Sequence, residues 1–217
     1  MLKRNRVLVM TAVAAERDAV LRGLGGDARF DVRLAGVGPA AAAANTAAAL
    51  AGGEYGLVVS AGIAGGFGGR ADVGTLVVSS EIVAADLGVE TPEGFTSVDE
   101  LGFGSARVAV DAALAEKVTA ALREAGLPVS CGPVLTVSTA TGSAATAAAL
   151  AGRVEGAAAE GMEGFGVATA ARLGSVPVIE IRAVSNPVGP RDRAAWKIRE
   201  ALELLEAAGP IFVEVLE

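Results

Sequence analysis

Apolar residues along this chain fall into two alternating rhythms. Unbroken apolar runs at residues 6–11 (RVLVMT), 56–60 (GLVVS), 129–138 (VSCGPVLTVS) and 176–185 (VPVIEIRAVS) have the β-branched content of strands buried on both faces. Between them lie segments with helical spacing, at 14–24 (AAERDAVLRGL), 111–125, 164–173 (GFGVATAARL) and 196–208. A second strand is read at 29–35, followed by the helical run AGVGPAAAAANTAAAL. Residues 73–86 read as one long strand or a bent pair, and VEGAAAE at 154–160 as a short buried strand. Residues 87–105 are polar and aromatic enough for a surface loop or lid, and Gly209-Pro210 is expected to end the last helix before a short tail. Strands alternating with helices predict an α/β fold, with a central mixed, twisted sheet in a three-layer α/β/α arrangement. No linker, repeat or composition break interrupts residues 1–217, so one domain is expected.

Charge and composition narrow the chemistry. A net charge of −7 without any basic block makes nucleic acid an unsuitable partner. No apolar run reaches the roughly 18 residues of a membrane span. The opening MLKRNRVLVMTAV has the basic start of a secretory leader, but its apolar part is short and Glu16 and Arg17 follow at once, so it reads as the first strand. The one cysteine, Cys131, rules out an intrachain disulfide and fits a cytoplasmic location. With no histidine, a His-based triad and a His-containing metal site are impossible. No metal or cofactor is expected, and acid–base work falls to Asp, Glu, Lys, Tyr or water.

The stretch AAEGMEGFG, residues 158–166, is where the chemistry concentrates. It sets Glu160 and Glu163 among small residues, with Glu163 at a strand-to-helix turn on the side of an α/β sheet where ligands gather. The plain reading is a first-turn carboxylate complementing the helix dipole. The small neighbours and the pliable Met162 favour a ligand instead, because a carboxylate that accepts from two adjacent hydroxyls is what a ribose requires. Glu16, after the first strand, has the same two readings. The glycine-rich stretch at 61–69 is expected to be a loop that lets backbone approach a ligand, but it lacks the Gly-Lys-Ser/Thr ending of a P-loop. Gly36-Val37-Gly38 is half of a dinucleotide fingerprint, without the third glycine or the later acidic residue.

Four motifs in order, VLVMTAVAAERDAV, VVSAGIAGGF, AAEGMEGFG and IEIRAVSNPVGPRDRAAWKI, make the chain resemble the purine nucleoside phosphorylase and nucleosidase superfamily from end to end. It is most similar there to the branch of the methylthioadenosine/S-adenosylhomocysteine nucleosidases and the futalosine hydrolases of the menaquinone pathway. The resemblance implies that Glu16 activates the attacking water and that Met162 and Glu163 hold the ribose. It implies that Ile63 and Gly65 lie near sugar and base, and that Thr139, Ala140 and Thr141 line the purine. Adenine-specific members carry an aspartate where this chain has Asn186. An amide donates a hydrogen bond to N7 but cannot transfer a proton, which favours hypoxanthine as leaving group and leaves Asp192 as second candidate for an acid. The phosphate-binding arginine of the phosphorylases has no counterpart ahead of the glycine stretch, although Arg17 is near enough in sequence to meet an anion. The implied substrate is futalosine, an inosine derivative with a benzoate-bearing 5′ chain, for which Arg191, Arg193, Phe95 and Phe103 are candidate contacts. Methylthioadenosine, S-adenosylhomocysteine or aminodeoxyfutalosine hydrolysis, phosphorolysis, and silent nucleoside binding are the alternatives. A homodimer or dimer of dimers is the implied assembly.

Overall fold

The computed structural model describes residues 6–216; the basic opening at residues 1–5 lies outside them. Strands and helices alternate in the order β1 (Val7–Thr11), α1 (Ala14–Gly23), β2 (Phe30–Leu34), α2 (Pro39–Ala51), β3 (Leu57–Gly66) and β4 (Leu76–Ala84). A hairpin of β5 (Gly88–Thr91) and β6 (Gly94–Ser97) follows, then β7 (Arg107–Ala109), α3 (Ala112–Glu124), β8 (Val129–Thr136) and α4 (Ala144–Arg153). The chain continues through β9 (Ala159–Gly161), α5 (Gly164–Leu173), β10 (Val178–Pro187) and α6 (Ile198–Val215). The central sheet is mixed and flanked by helices, as the alternation predicts.

The sheet also closes on itself. Its path runs β10-β4-β8-β9-β3-β1-β2, and β10 pairs in addition with β3. The neighbours β3, β10, β4, β8 and β9 therefore form a ring, from which β1 and β2 extend. Leu8 and Met10 of β1, Leu76 and Ile82 of β4, and Ile179 and Ile181 of β10 are fully buried. These apolar faces supply the burial that stabilises the sheet. Among the described residues no helix is long and apolar enough to cross a membrane.

Several boundaries differ from the sequence expectation, each for a physical reason. Most of the glycine-rich stretch at 61–69 is strand, because β3 is paired along its length by β10 and at its end by β9. Its glycines mark crowding: a Cβ on Gly66 would lie 2.2 Å from the Ala71 carbonyl oxygen. The supposed loop at 87–105 holds the β5–β6 hairpin, with Thr91 and Gly94 paired across its turn. Of the segment 154–160 only Ala159 and Glu160 are strand, in β9, which runs one residue further to Gly161.

The last helix runs straight through Gly209-Pro210. Pro210 has no N–H for the carbonyl of Glu206 four residues back. That carbonyl faces Gly23 of α1, where a Cβ would come to 2.2 Å from its oxygen, and Gly209 presses equally close on Gly23. The glycine pair lets α1 and α6 meet backbone to backbone, with Arg22 and Glu206 paired at 2.8 Å beside the crossing. Gly209→Ala is expected to force the helices apart and cost about 1–3 kcal/mol, the range for overpacking. The urea midpoint should fall, with activity per folded molecule retained.

Candidate active site

A cavity of about 330 Å³ opens beside the ends of β1, β3, β9 and β10. Ala12, Val13 and Glu16 form one wall, and Ile63 to Gly65 form the floor. Glu160 to Glu163, Ser185 and Asn186 close two further sides. Ala140, Thr141, Val188, Arg191 and Trp196 complete it.

Glu16 is buried in the first turn of α1. One carboxylate oxygen accepts the backbone N–H groups of Ala12 at 2.9 Å and Val13 at 3.2 Å, and the other accepts the Ile63 N–H at 2.9 Å. It thus serves the helix start and faces the cavity at once. Burial raises its pKa above the ordinary value; nearby Arg182 and the backbone donors oppose that shift, and the charge of Glu163 adds to it. Glu163 caps nothing in its own helix. Its carboxylate pairs with the Arg182 guanidinium at 3.2 Å and accepts from the Gly38 N–H at 3.3 Å.

Behind these two lies a buried charge cluster. Glu180 and Arg182 are two residues apart on β10 and so point to one face, while Ile179 and Ile181 point to the other. Arg182 Nε donates to Glu180 Oε1 at 2.7 Å, and its other nitrogens reach the Ile63 carbonyl and the Ser60 hydroxyl at 3.3 and 3.4 Å. Burial raises the pKa of Glu180, while Arg182 holds it down. The carboxylates of Glu180, Glu163 and Glu16 together keep Arg182 protonated despite its burial. Glycines make room for this cluster. A Cβ on Gly62 would fall 2.6 Å from Glu16 Oε1 and 2.8 Å from an Arg182 nitrogen, and one on Gly164 would fall 2.0 Å from Glu180 Oε2.

On the opposite side, the β10–β3 register slips between Val184 and Asn186, leaving Ser185 as the extra residue of a bulge. The Ser185 hydroxyl donates to Asn186 Oδ1 at 2.8 Å, and Asn186 Nδ2 donates to the Pro187 carbonyl at 3.0 Å. Since a carbonyl can only accept, this fixes the amide with one N–H left for the cavity.

Of the residues singled out from the sequence, Glu16, Ile63, Gly65, Ala140, Thr141, Met162, Glu163 and Asn186 line one cavity. Thr139 and Asp192 do not: Thr139 is exposed, and the Asp192 carboxylate accepts the Ala194 N–H at 3.2 Å to start the short turn Arg193–Ala195. Arg191 stacks on Trp196 at 4.9 Å on the cavity wall. Arg193 lies 5.9 Å from the same ring and does not line the cavity, Phe95 packs against Arg153, and Phe103 is 80% exposed. Arg17 pairs with Asp18 at 2.8 Å, off the cavity wall. The sequence reading missed Glu180 and Arg182. Their signal was present as two charges at strand spacing inside an otherwise apolar run, where a lone charge is prohibitively costly and a pair is not.

Closed mixed sheet and carboxylate-lined cavity define a class. The chain belongs to the phosphorylase superfamily, whose family model matches residues 19–216. Within it, the chain is 52% identical to the futalosine hydrolase of Streptomyces coelicolor over 231 residues, covering 97% of this chain and 96% of that protein. It is 48% identical to the futalosine hydrolase of Acidothermus cellulolyticus, over 93% of this chain and 87% of that one. In fold it is similar to the 5′-methylthioadenosine/S-adenosylhomocysteine nucleosidase of Neisseria meningitidis, with a TM-score of 0.78 at 22% identity over 98% of both chains.

Removing one member of the buried pair leaves the other charge uncompensated. Glu180→Ala should therefore lower stability by about 3–5 kcal/mol in urea unfolding. A loss below about 1 kcal/mol would mean that Glu163 and Glu16 alone balance Arg182.

Proposed function

We propose that this chain is a nucleosidase that hydrolyses the N-glycosidic bond of futalosine, releasing hypoxanthine and dehypoxanthine futalosine. The observation that carries the reading is the convergence of two buried carboxylates, Glu16 and Glu163, on one cavity that also presents the Asn186 amide. Identity of 52% to a futalosine hydrolase over nearly the whole chain supports the choice of substrate.

Each residue has a role its chemistry permits. Glu163, held from behind by Arg182, accepts the ribose hydroxyls and stabilises the positive charge that develops on the sugar as the bond breaks. Met162 packs under the ring. Glu16 is fixed by three backbone donors and has its pKa raised by burial, which makes it the stronger base for drawing a proton from water. Asn186 donates to N7 as the purine leaves. Asp192, committed to its own turn, takes no part.

Water is the nucleophile rather than phosphate. Arg182 is spent on carboxylates, and the cation on the cavity wall, Arg191, is exposed beside Trp196. That position suits the carboxylate of a 5′ chain better than an anion under the sugar. The exposed Val13, whose N–H donates to the Glu16 carboxylate, and Val37, next to the Gly38 N–H that donates to Glu163, favour a homodimer that covers this side. The single cysteine supports a cytoplasmic location.

Incubation with futalosine, with and without phosphate, should release hypoxanthine equally in both, as followed by chromatography. Dependence on phosphate with formation of a sugar 1-phosphate would make the chain a phosphorylase. Glu16→Gln should lower turnover by about 10²–10⁴-fold. In the wild type kcat/KM should rise with pH through the Glu16 ionisation, at a pH above the ordinary glutamate value of 4.5, because the base works only when deprotonated. That limb should vanish in the variant.

A further inference from the structure

Glu160 lies on the cavity wall, and neither sugar nor water claims it. We propose that Glu160 selects a 6-oxopurine over a 6-aminopurine by accepting a hydrogen bond from N1–H of the base, while Asn186 serves N7. This assignment rests on the nucleosidase reading given above.

Strand register places the two residues on either side of one glycine. Gly65 of β3 pairs with Glu160 of β9 on one flank and with Asn186 of β10 on the other. With adjacent strands about 4.8 Å apart, the two backbones stand roughly 10 Å from each other across Gly65, which has no side chain. A Cβ on Gly65 would come within 2.9 Å of Val188 Cγ2 and 3.4 Å of Asn186 Nδ2, filling the space beside the amide. A flat ring resting on Gly65 meets an amide at one edge and a carboxylate at the other.

The state of Glu160 fits this use. It is only 8% exposed, yet among the described residues no lysine or arginine forms an ion pair with it. Among the described residues Thr141 holds it, donating its backbone N–H to one oxygen at 2.9 Å and its hydroxyl to the other at 2.5 Å. Each carboxylate oxygen retains a lone pair for a further donor. A role confined to tying down the loop at Thr141 would be served by a neutral side chain, which costs far less to bury.

The two ends of the base then do different work. N7 is an acceptor in hypoxanthine and in adenine alike, so the Asn186 N–H binds both. N1 carries a hydrogen in hypoxanthine and a lone pair in adenine. A carboxylate therefore attracts the first and repels the second, and leaving a buried acceptor unpaired is what makes such sites selective.

The test compares kcat/KM for futalosine and for its 6-amino counterpart in the wild type and in Glu160→Gln, whose amide can turn an N–H toward an adenine N1. The wild type should favour the 6-oxo substrate, and the substitution should reduce that preference by at least about tenfold, the weight of one charge-assisted hydrogen bond. A loss shared equally by both substrates, with the ratio unchanged, overturns the assignment and leaves Glu160 a loop tie. Should the variant not fold, wild-type inhibition by hypoxanthine and by 1-methylhypoxanthine decides. At least about tenfold weaker inhibition by the methylated base supports the proposal, and equal inhibition overturns it. Failure of the wild type to cleave either nucleoside overturns the nucleosidase reading itself.

Discussion

A guanidinium with almost no access to water must have its charge answered from within the protein. Arg182 is answered by Glu180 at 2.7 Å and Glu163 at 3.2 Å, with Glu16 close enough to contribute. Everything at the Glu16–Glu163 end of the cavity follows from that arrangement. Glu163 is pulled away from capping its own helix and turned inward. Glu16 sits beside a positive charge that tempers, without cancelling, the rise in its pKa from burial.

The fold is shaped to admit this cluster. Gly62, Gly161 and Gly164 come from three different elements, and a Cβ on any of them would press on Arg182, Glu16 or Glu180. Backbone hydrogen bonding from β3 to both β9 and β10 holds these bare positions in place. Packing elsewhere follows the same logic: where α1 meets α6, glycines again stand where backbones touch. Small residues are thus placed where charge or backbone must approach, and bulk is left to the apolar faces of the strands.

Much of this could be read from the residues. Unbroken β-branched runs located the central strands because burial on both faces leaves no other pattern. Glu163 stood out as an acid in small-residue surroundings, whereas Glu16 was reached only through the family resemblance. What escaped the reading depended on partners distant in sequence. The stretch at 61–69 looks like a loop until β9 and β10 are known to flank it, and only then do its glycines become a matter of steric clearance. Pro210 and Gly209 normally end a helix, but Gly23 of α1, far away along the chain, rewards their staying inside one. Asp192 looked available because its bond to the Ala194 N–H belongs to a turn too short to carry a periodic signal. Glu180 and Arg182 were visible as a pair at strand spacing, yet nothing local said which face of β10 was inward.

The bulge at Ser185 separates two populations of residues on the same strand. Upstream of it, Glu180 and Arg182 are locked into the protein's interior, where any change disturbs several charges together. Downstream, the Asn186 side chain bonds, among the described residues, to its immediate neighbours Ser185 and Pro187. One strand therefore joins an immovable half to an adjustable half. Under the proposed roles, a lineage could retune which heterocycle departs by altering residues beyond the slip, with the machinery that handles the pentose left undisturbed.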